Sequence, residues 1–259
     1  MSFEDNLKDF FDRFFWRQHP EAAIRYNPVV REIKKRKLQD SKILEIGPGS
    51  LGVTPYLKRQ IDGVDVDFSG PKSPYLNQIK STAIKLPFRK NSYDVVISVD
   101  TLEHLEKDER PKAISEIIRV AKKLAIIIVP VGELSQIQDR ELDEYWKKIF
   151  NEDNQFLKEH VKNGLPAVEE ILVNIDKFKR AHGKTAKISS YPNLNISVRK
   201  ILMKTWISKN KFIYFLYMKG YLFFLPLLKR LNFGNCYRRV FVIEFDSPVN
   251  SHKNQRSSP

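Results

Sequence analysis

Two runs, Asp94-Val-Val-Ile-Ser-Val99 and Leu124-Ala-Ile-Ile-Ile-Val-Pro-Val131, constrain the fold of this chain more than any other feature. Both are apolar at consecutive rather than alternate positions. A strand of that composition must be covered on both faces, which is the condition of parallel strands between two helix layers. Between the runs, a helix beginning near Asp108 would carry Ile114, Ile117, Ile118 and Ala121 on one stripe. Further strand candidates lie at 42–46, 63–66, 82–85, 185–190 and 238–245. Helical patterns cover 3–16, 22–37 with an interruption or restart at Pro28, 133–150, 166–178 and a basic, aromatic region over about 195–231. The alternation predicts an α/β fold: a doubly wound, mostly parallel seven-stranded sheet.

A chain of 259 residues, 42% hydrophobic and 12% aromatic, can bury one substantial core. Cys236 is its single cysteine, which excludes an internal disulfide and a multi-cysteine zinc site, and no metal role is expected. The opening MSFEDNLKDFFDRFF carries acids among its apolar residues and lacks a signal peptide's basic start, so a cytoplasmic location is expected. The formal net charge is +14 and unevenly placed: no acid occurs between Asp176 and Glu244, an interval holding fifteen lysines and arginines. Such a surplus suits an anionic partner, whether membrane surface, nucleic acid or phosphorylated substrate, with a solvated basic face as the alternative. The run Lys34-Lys-Arg-Lys37 closes a helix, where cations are favoured without any ligand.

The turn Gly47-Pro-Gly-Ser-Leu-Gly52 follows the first strand candidate and fits G-x-G-x-x-G, with an acid, Asp65 or Asp67, near the roughly 20-residue spacing of a dinucleotide fingerprint. Glu45 separates two ligand classes. Beside a pyrophosphate an acid two residues before the first glycine is repulsive. Beside S-adenosylmethionine, which has a sulfonium and an ammonium but no phosphate, it is attractive.

The string ILEIGPGSLG over 43–52 resembles motif I of the class I S-adenosylmethionine-dependent methyltransferases, and STAIKLPFRKNSYDVVISVDTLEHL over 81–105 resembles the segment those enzymes carry through strands three and four. The resemblance covers about residues 25–131 and implies a Rossmann-like methyltransferase fold using S-adenosylmethionine. It implies N-terminal helices over 1–40, a cofactor-binding half over 41–132, a C-terminal half over 133–246 with a helical cap at about 195–232 before the last strand, and a disordered tail over 247–259. It implies further that Gly47, Pro48 and Gly49 approach the methionine and ribose parts, that Glu45 holds the ammonium directly or through water, that Asp65 accepts from the ribose hydroxyls and that Val66 lies against the adenine. Thr82-Ala83 stands where the family usually has Asp-Ala. Asp100 and Thr101 should face the methyl donor, and His104 is the nearest candidate base, with Asp100 the second candidate for a catalytic role.

For the acceptor, strand four ends in Val99-Asp-Thr-Leu-Glu103 rather than the Pro-Pro-aromatic element of many base methyltransferases, and Cys236 lies far from motif I, so nucleic-acid bases are disfavoured. Residues 138–171 are similar to a stretch in methyltransferases associated with prokaryotic surface-glycan biosynthesis. They supply Arg140 and His160 as substrate-facing candidates, joined by Tyr191. The segment FIYFLYMKGYLFFLPLL over 212–228, flanked by Lys209, Lys211, Lys229 and Arg230, is short for a membrane span and interrupted by Lys219, Gly220 and Pro226. It reads first as a buried cap and second as an interfacial element at the inner face of a membrane. The expected function is methyl transfer to a hydroxyl or amine of a small or lipid-linked acceptor. An RNA methyltransferase using the basic region and a non-catalytic S-adenosylmethionine-binding protein are the alternatives. Oligomeric state is not legible.

Overall fold

The computed structural model describes residues 18–246, so the helix expected over 3–16 and the tail from 247 lie outside the described residues. Seven strands form one sheet: β1 (Ile43–Ile46), β2 (Ile61–Asp65), β3 (Leu76–Lys80), β4 (Tyr93–Val99), β5 (Ala121–Pro130), β6 (Ala186–Asn195) and β7 (Cys236–Phe245). Their order is β3-β2-β1-β4-β5-β7-β6. The first five run parallel, with Ile43 beside Val95 and Val99 beside Ile128, while β7 is antiparallel to both β5 and β6.

The consecutive apolar runs have the double burial their composition requires. Ala125, Ile127 and Val129 join one core with Ile114, Ile117 and Ile118 of α3 (Arg110–Val120). Leu124, Ile126 and Ile128 point the other way, into a second core with Val29 and Ile33 of α1 (Pro20–Lys35). At about 25 cal/mol for each Å² of apolar surface removed from water, burial on both faces is the main stabilisation of this strand.

Three local expectations change. The segment 82–85 is a turn closed by an isolated bridge between Thr82 and Lys85, and the strand precedes it at Leu76–Lys80. Helix α1 runs without restart through Pro28, because Ile24, Val29 and Ile33 on either side are fully buried and their packing outweighs the one helix hydrogen bond that proline gives up. The helix expected from Asp108 begins at Arg110, with Glu109 at its N-cap.

After β5 come α4 (Glu133–Phe150), α5 (Gln155–Asn163) and α6 (Val168–Ala181). The segment between β6 and β7 folds as α7 (Ile196–Trp206), α8 (Lys211–Met218), a 3-10 turn (Gly220–Phe224) and the short α9 (Leu225–Leu228). Its inner face packs Leu202, Tyr217, Leu222 and Leu225 against Ala23 and Ile24 of α1. The stretch Lys211–Leu228 has a mean hydropathy of 1.3, enough by length and composition to cross a membrane, yet only 17% of it is buried inside the protein. The fully buried cap expected from its composition is therefore not what forms: Phe212 is 73% exposed, and Phe223, Phe224, Leu227 and Phe233 are exposed with it.

Candidate active site

The carboxyl ends of β1, β2 and β4 open on a cavity of about 690 Å³. Its floor is the glycine turn after β1. Gly47 has φ +71°, and a Cβ there would lie 2.3 Å from Thr101 Oγ1, whose hydroxyl donates to the Ile46 carbonyl at 3.1 Å. Gly52 has φ +53°, and a Cβ there would lie 2.2 Å from Glu45 Oε2. Both positions therefore need glycine for backbone conformation and for space.

Glu45 lies under this turn, wholly buried, with Oε2 accepting from the Val53 amide at 2.7 Å. Its Oε1 is buried and has no partner in good hydrogen-bond geometry, and burial pushes its carboxyl up to about 7 against the opposing pull of the Val53 amide and the nearby Tyr26 hydroxyl. Asp65 ends β2, where Oδ2 accepts from the Gly49 amide at 2.8 Å and Oδ1 from the Val66 amide at 2.7 Å. The Gly49 Cβ position has no atom within 4 Å, and Val66 is 57% exposed against the same cavity.

Asp100, just past β4 at φ +48°, is held by guanidinium groups: Arg238 Nε at 2.7 Å from Oδ1 and Arg25 Nη1 at 3.0 Å from Oδ2. Arg238 also pairs with Glu21. Burial would raise the Asp100 carboxyl, but Arg238 and Arg25 hold it well below the usual range, and the same two arginines bring Glu21 down to about 2. A carboxylate so paired is a poor proton acceptor, and it anchors Arg25, which lines this cavity, and Arg238.

A second cavity, of about 540 Å³, adjoins the first and shares Arg25, Gly47, Asp100 and His104 with it. One wall is polar, with Glu103, His160 and Arg199; the other is apolar, with Met203, Trp206, Tyr214 and Met218 of the segment between β6 and β7. His104 Nδ1 lies 2.7 Å from Glu159 Oε2, and burial first, then His160, lowers its pKa. His160 Nδ1 lies 2.9 Å from Asp139 Oδ2, and Asp139 is bound to Arg199 Nη2 at 2.8 Å and to the Tyr237 hydroxyl. Glu103 is wholly buried with neither carboxyl oxygen hydrogen-bonded, and burial, with Asp100 nearby, pushes its carboxyl well up.

The structure thus gathers Gly47, Pro48, Gly49, Asp65, Val66, Ala83, Asp100, Thr101 and His104 on one cavity, with Glu45 directly beneath its turn. Thr82 is exposed and does not line it; Ser81 does. Arg140 is exposed on α4 and lines neither cavity, while its neighbour Asp139 points inward. Tyr191 donates to Glu32 at 2.9 Å and lines neither cavity. No motif assigns a role to Arg25, Glu103 or Arg238, whereas Glu159 and Asp139 belong to the 138–171 stretch that points to the acceptor side.

The fit to S-adenosylmethionine can be judged on these groups. Asp65 keeps acceptor capacity beyond its backbone bonds for a ribose diol, Val66 and Ala83 offer an apolar edge for adenine, and the Glu45 carboxyl, buried beneath the turn and lining neither cavity, would act on an ammonium through the turn or a bridging water. Arg25, whose Nε is buried without a partner, offers a cation to a carboxylate. The residues fit. Asp65→Ala is expected to weaken donor binding by about 2 kcal/mol, roughly thirtyfold, through loss of charge-assisted bonds; calorimetry checks it, and unchanged affinity would remove Asp65 from the site.

Comparison with known proteins agrees. A family model of the methyltransferase domain matches residues 44–129. A human protein named probable tRNA methyltransferase 9B is 29% identical over 114 residues, which cover 41% of this chain and 23% of that one. A protein of Haemophilus influenzae without an assigned function is 30% identical over 105 residues, covering 35% of this chain and 42% of that one. The chain thus spans less than half the length of the curated relatives it matches. Among solved structures, a SAM-dependent methyltransferase from Archaeoglobus fulgidus superimposes with a TM-score of 0.50 at 16% identity, over 92% of this chain and 99% of that one. Residues 44–129 thus carry a methyltransferase domain, and the strand order with its antiparallel β7 and the occupied motif positions are those of the class I S-adenosylmethionine-dependent methyltransferase fold.

Proposed function

We propose that the protein methylates a hydroxyl or amine of an acceptor with an apolar portion, presented at an anionic membrane surface; a lipid-linked glycan precursor is one such compound. The observation that carries this reading is the double use of one segment. Inward, Trp206, Tyr214 and Met218 wall the second cavity; outward, Phe212, Phe223, Phe224 and Leu227 are exposed. Exposed Lys209, Lys211 and Arg230 flank that segment in sequence, in a stretch with no acid. Aromatic side chains entering the headgroup zone beside cations are what an anionic interface attracts.

S-adenosylmethionine supplies a methyl group activated by a positively charged sulfur. Bound here, it would give that carbon to the acceptor's lone pair with a neutral thioether as leaving group, and the acceptor's proton would pass to water. The protein's part is alignment and exclusion of water. Gly47 and Asp100 lie on both cavities, so the same strand ends that hold the donor bound the acceptor space. Arg25 and Arg238, fixed through Asp100 and Glu21, keep that boundary rigid and charged.

Protein incubated with tritiated-methyl donor and extract of its source should place label in the lipid fraction, and it should sediment with phosphatidylserine vesicles. The double substitution Phe223→Glu with Leu227→Glu, at exposed positions, is expected to abolish sedimentation while leaving donor affinity unchanged. Label confined to RNA, together with binding that weakens steeply with salt, would replace this reading with an RNA methyltransferase. No label despite donor binding would favour a non-catalytic binding protein.

A further inference from the structure

The second cavity contains a group of side chains that the proposed methyl transfer does not require. His104 and His160 face each other through their Nε2 atoms, 3.4 Å apart, and Glu103 Oε1 lies 3.9 Å from His160 Nε2. One ligand atom from each of the three residues lies within 4.8 Å of the others.

Their hydrogen bonds fix which atoms carry protons. Asp139 is ion-paired with Arg199 and so is an acceptor; His160 Nδ1 must donate to it. Glu159, accepting from Gln155 Nε2 at 3.0 Å, likewise takes the proton of His104 Nδ1 at 2.7 Å. In the neutral rings both Nε2 atoms then carry lone pairs directed at each other. With both rings neutral in these tautomers the 3.4 Å contact carries no proton, and neither oxygen of Glu103, which is 0% exposed, has a hydrogen-bond partner among the described residues. Three potential ligand atoms thus converge on the wall of the second cavity, and a cation placed among them would offset the burial that otherwise holds a proton on Glu103.

From this juxtaposition we propose that His104 Nε2, His160 Nε2 and the Glu103 carboxylate bind one divalent transition-metal ion such as Zn²⁺ or Mn²⁺. Two imidazoles and one carboxylate suit that class of ion, and imidazoles whose second nitrogen donates to a carboxylate are the usual form of metal-binding histidine. Glu103 and His104 come from the 3-10 turn Leu102–His104 after β4, and His160 from α5. Arg110 fastens these pieces together, donating to the carbonyls of Leu102, Asn163 and Gly164, while Asn163 Nδ2 donates to the His104 carbonyl at 2.9 Å. Three protein ligands leave coordination positions on the cavity side. Resting on the proposed function, those positions face the acceptor space, where an ion would make an acceptor hydroxyl a stronger acid and so a better nucleophile. The metal-free transfer expected from the sequence would then be incorrect.

The test reads metal binding without donor or acceptor. Full-length protein, stripped with a chelator and desalted, is titrated with Zn²⁺ and with Mn²⁺ by calorimetry near neutral pH. One ion per chain, bound at micromolar concentration or tighter, is expected for at least one of the metals. Glu103→Gln, nearly isosteric, and His160→Ala should each weaken it by about a hundredfold or more. His182→Ala, at a histidine bonded to Ser115 outside both cavities, should leave it unchanged. If His160→Ala does not fold, Glu103→Gln decides, together with the ring-proton signals of His104 and His160 in the wild type, which must shift or broaden on metal addition. Absence of stoichiometric binding by the wild type, or binding that survives Glu103→Gln intact, overturns the proposal. Donor affinity measured on the same metal-free protein keeps the two readings apart: intact donor binding without metal binding sinks only the metal site, and the converse sinks only the proposed transferase.

Discussion

Arg238→Ala is expected to lower the free energy of unfolding by about 3–5 kcal/mol, because it strands buried charge. The Arg238 side chain is 4% exposed and lies between Glu21 and Asp100, with side chains 9% and 10% exposed. Taking the guanidinium away leaves two carboxylates with only Arg25, itself 25% exposed, to offset them. The pH dependence follows from the depressed carboxyl groups. Glu21, at about 2 in the fold against 4.5 ordinarily, contributes stability that is present above about pH 4.5 and lost as pH falls through its folded value, and Asp100 acts in the same direction. The gap between wild type and variant should therefore be widest near neutral pH and narrow toward pH 2. Urea unfolding at two pH values measures it. A gap under about 1 kcal/mol at neutral pH would mean that the cluster is solvated, as in a surface ion pair.

The same cluster shows why part of the site was not legible in sequence. Arg238 and Asp100 are 138 residues apart, and Arg25 and Asp100 are 75 apart. No periodicity joins them, because only the closing of the sheet by β7 beside β5 brings Arg238 to the end of β4. The glycine turn, by contrast, is local: its conformation, the clash partners of Gly47 and Gly52 and the acid under it all lie within one strand-turn unit or at the adjacent strand end. The continuous apolar runs were readable for a similar reason, since double burial disfavours polar residues, and Ser98, itself buried, is the one polar residue in 95–99 and 124–131 taken together.

Where burial is one-sided, the pattern weakens. Edge strand β3 buries Leu76 and exposes Asn77, Gln78 and Lys80, so its two apolar residues made a weaker signal than the β-favouring Thr-Ala-Ile that follows. On α4 a single residue step turns the side chain by about 100°, and this separates outward Arg140 from Asp139, which meets His160, Arg199 and Tyr237. Motif resemblance located His104 and His160 as separate candidates. Their facing nitrogens became apparent only when α5 packed against the turn after β4.

Donor binding is expected to weaken about tenfold per pH unit below pH 7, reaching about a hundredfold at pH 5. The cause is Glu45. In the ligand-free fold its carboxyl is raised to about 7 by burial, with Oε1 lacking a partner in good hydrogen-bond geometry. A bound ammonium stabilises the carboxylate and lowers that value, so below pH 7 binding must expel the proton, and affinity falls as protons become abundant. Above about pH 8 the ligand's own α-amino group loses its charge, which limits the optimum on the other side. The effect on the ligand-free protein has the opposite sign. A carboxyl raised in the fold favours folding when protonated, so its contribution is full below about pH 4.5 and is lost as pH rises through 7. Glu45→Gln separates both effects from other titrating groups: it should flatten the acid limb of the affinity profile, lower the plateau affinity, and stabilise the ligand-free protein at pH 8 more than at pH 5. Calorimetry in buffers of different ionisation enthalpy should detect about one proton released per ligand bound near pH 6 in the wild type and none in the variant. A wild-type profile flat from pH 5 to pH 7 would show that the Glu45 carboxylate does not sense the ligand's cation and only braces the Gly52 turn, leaving Arg25 and Asp65 as the charged groups that recognise the donor.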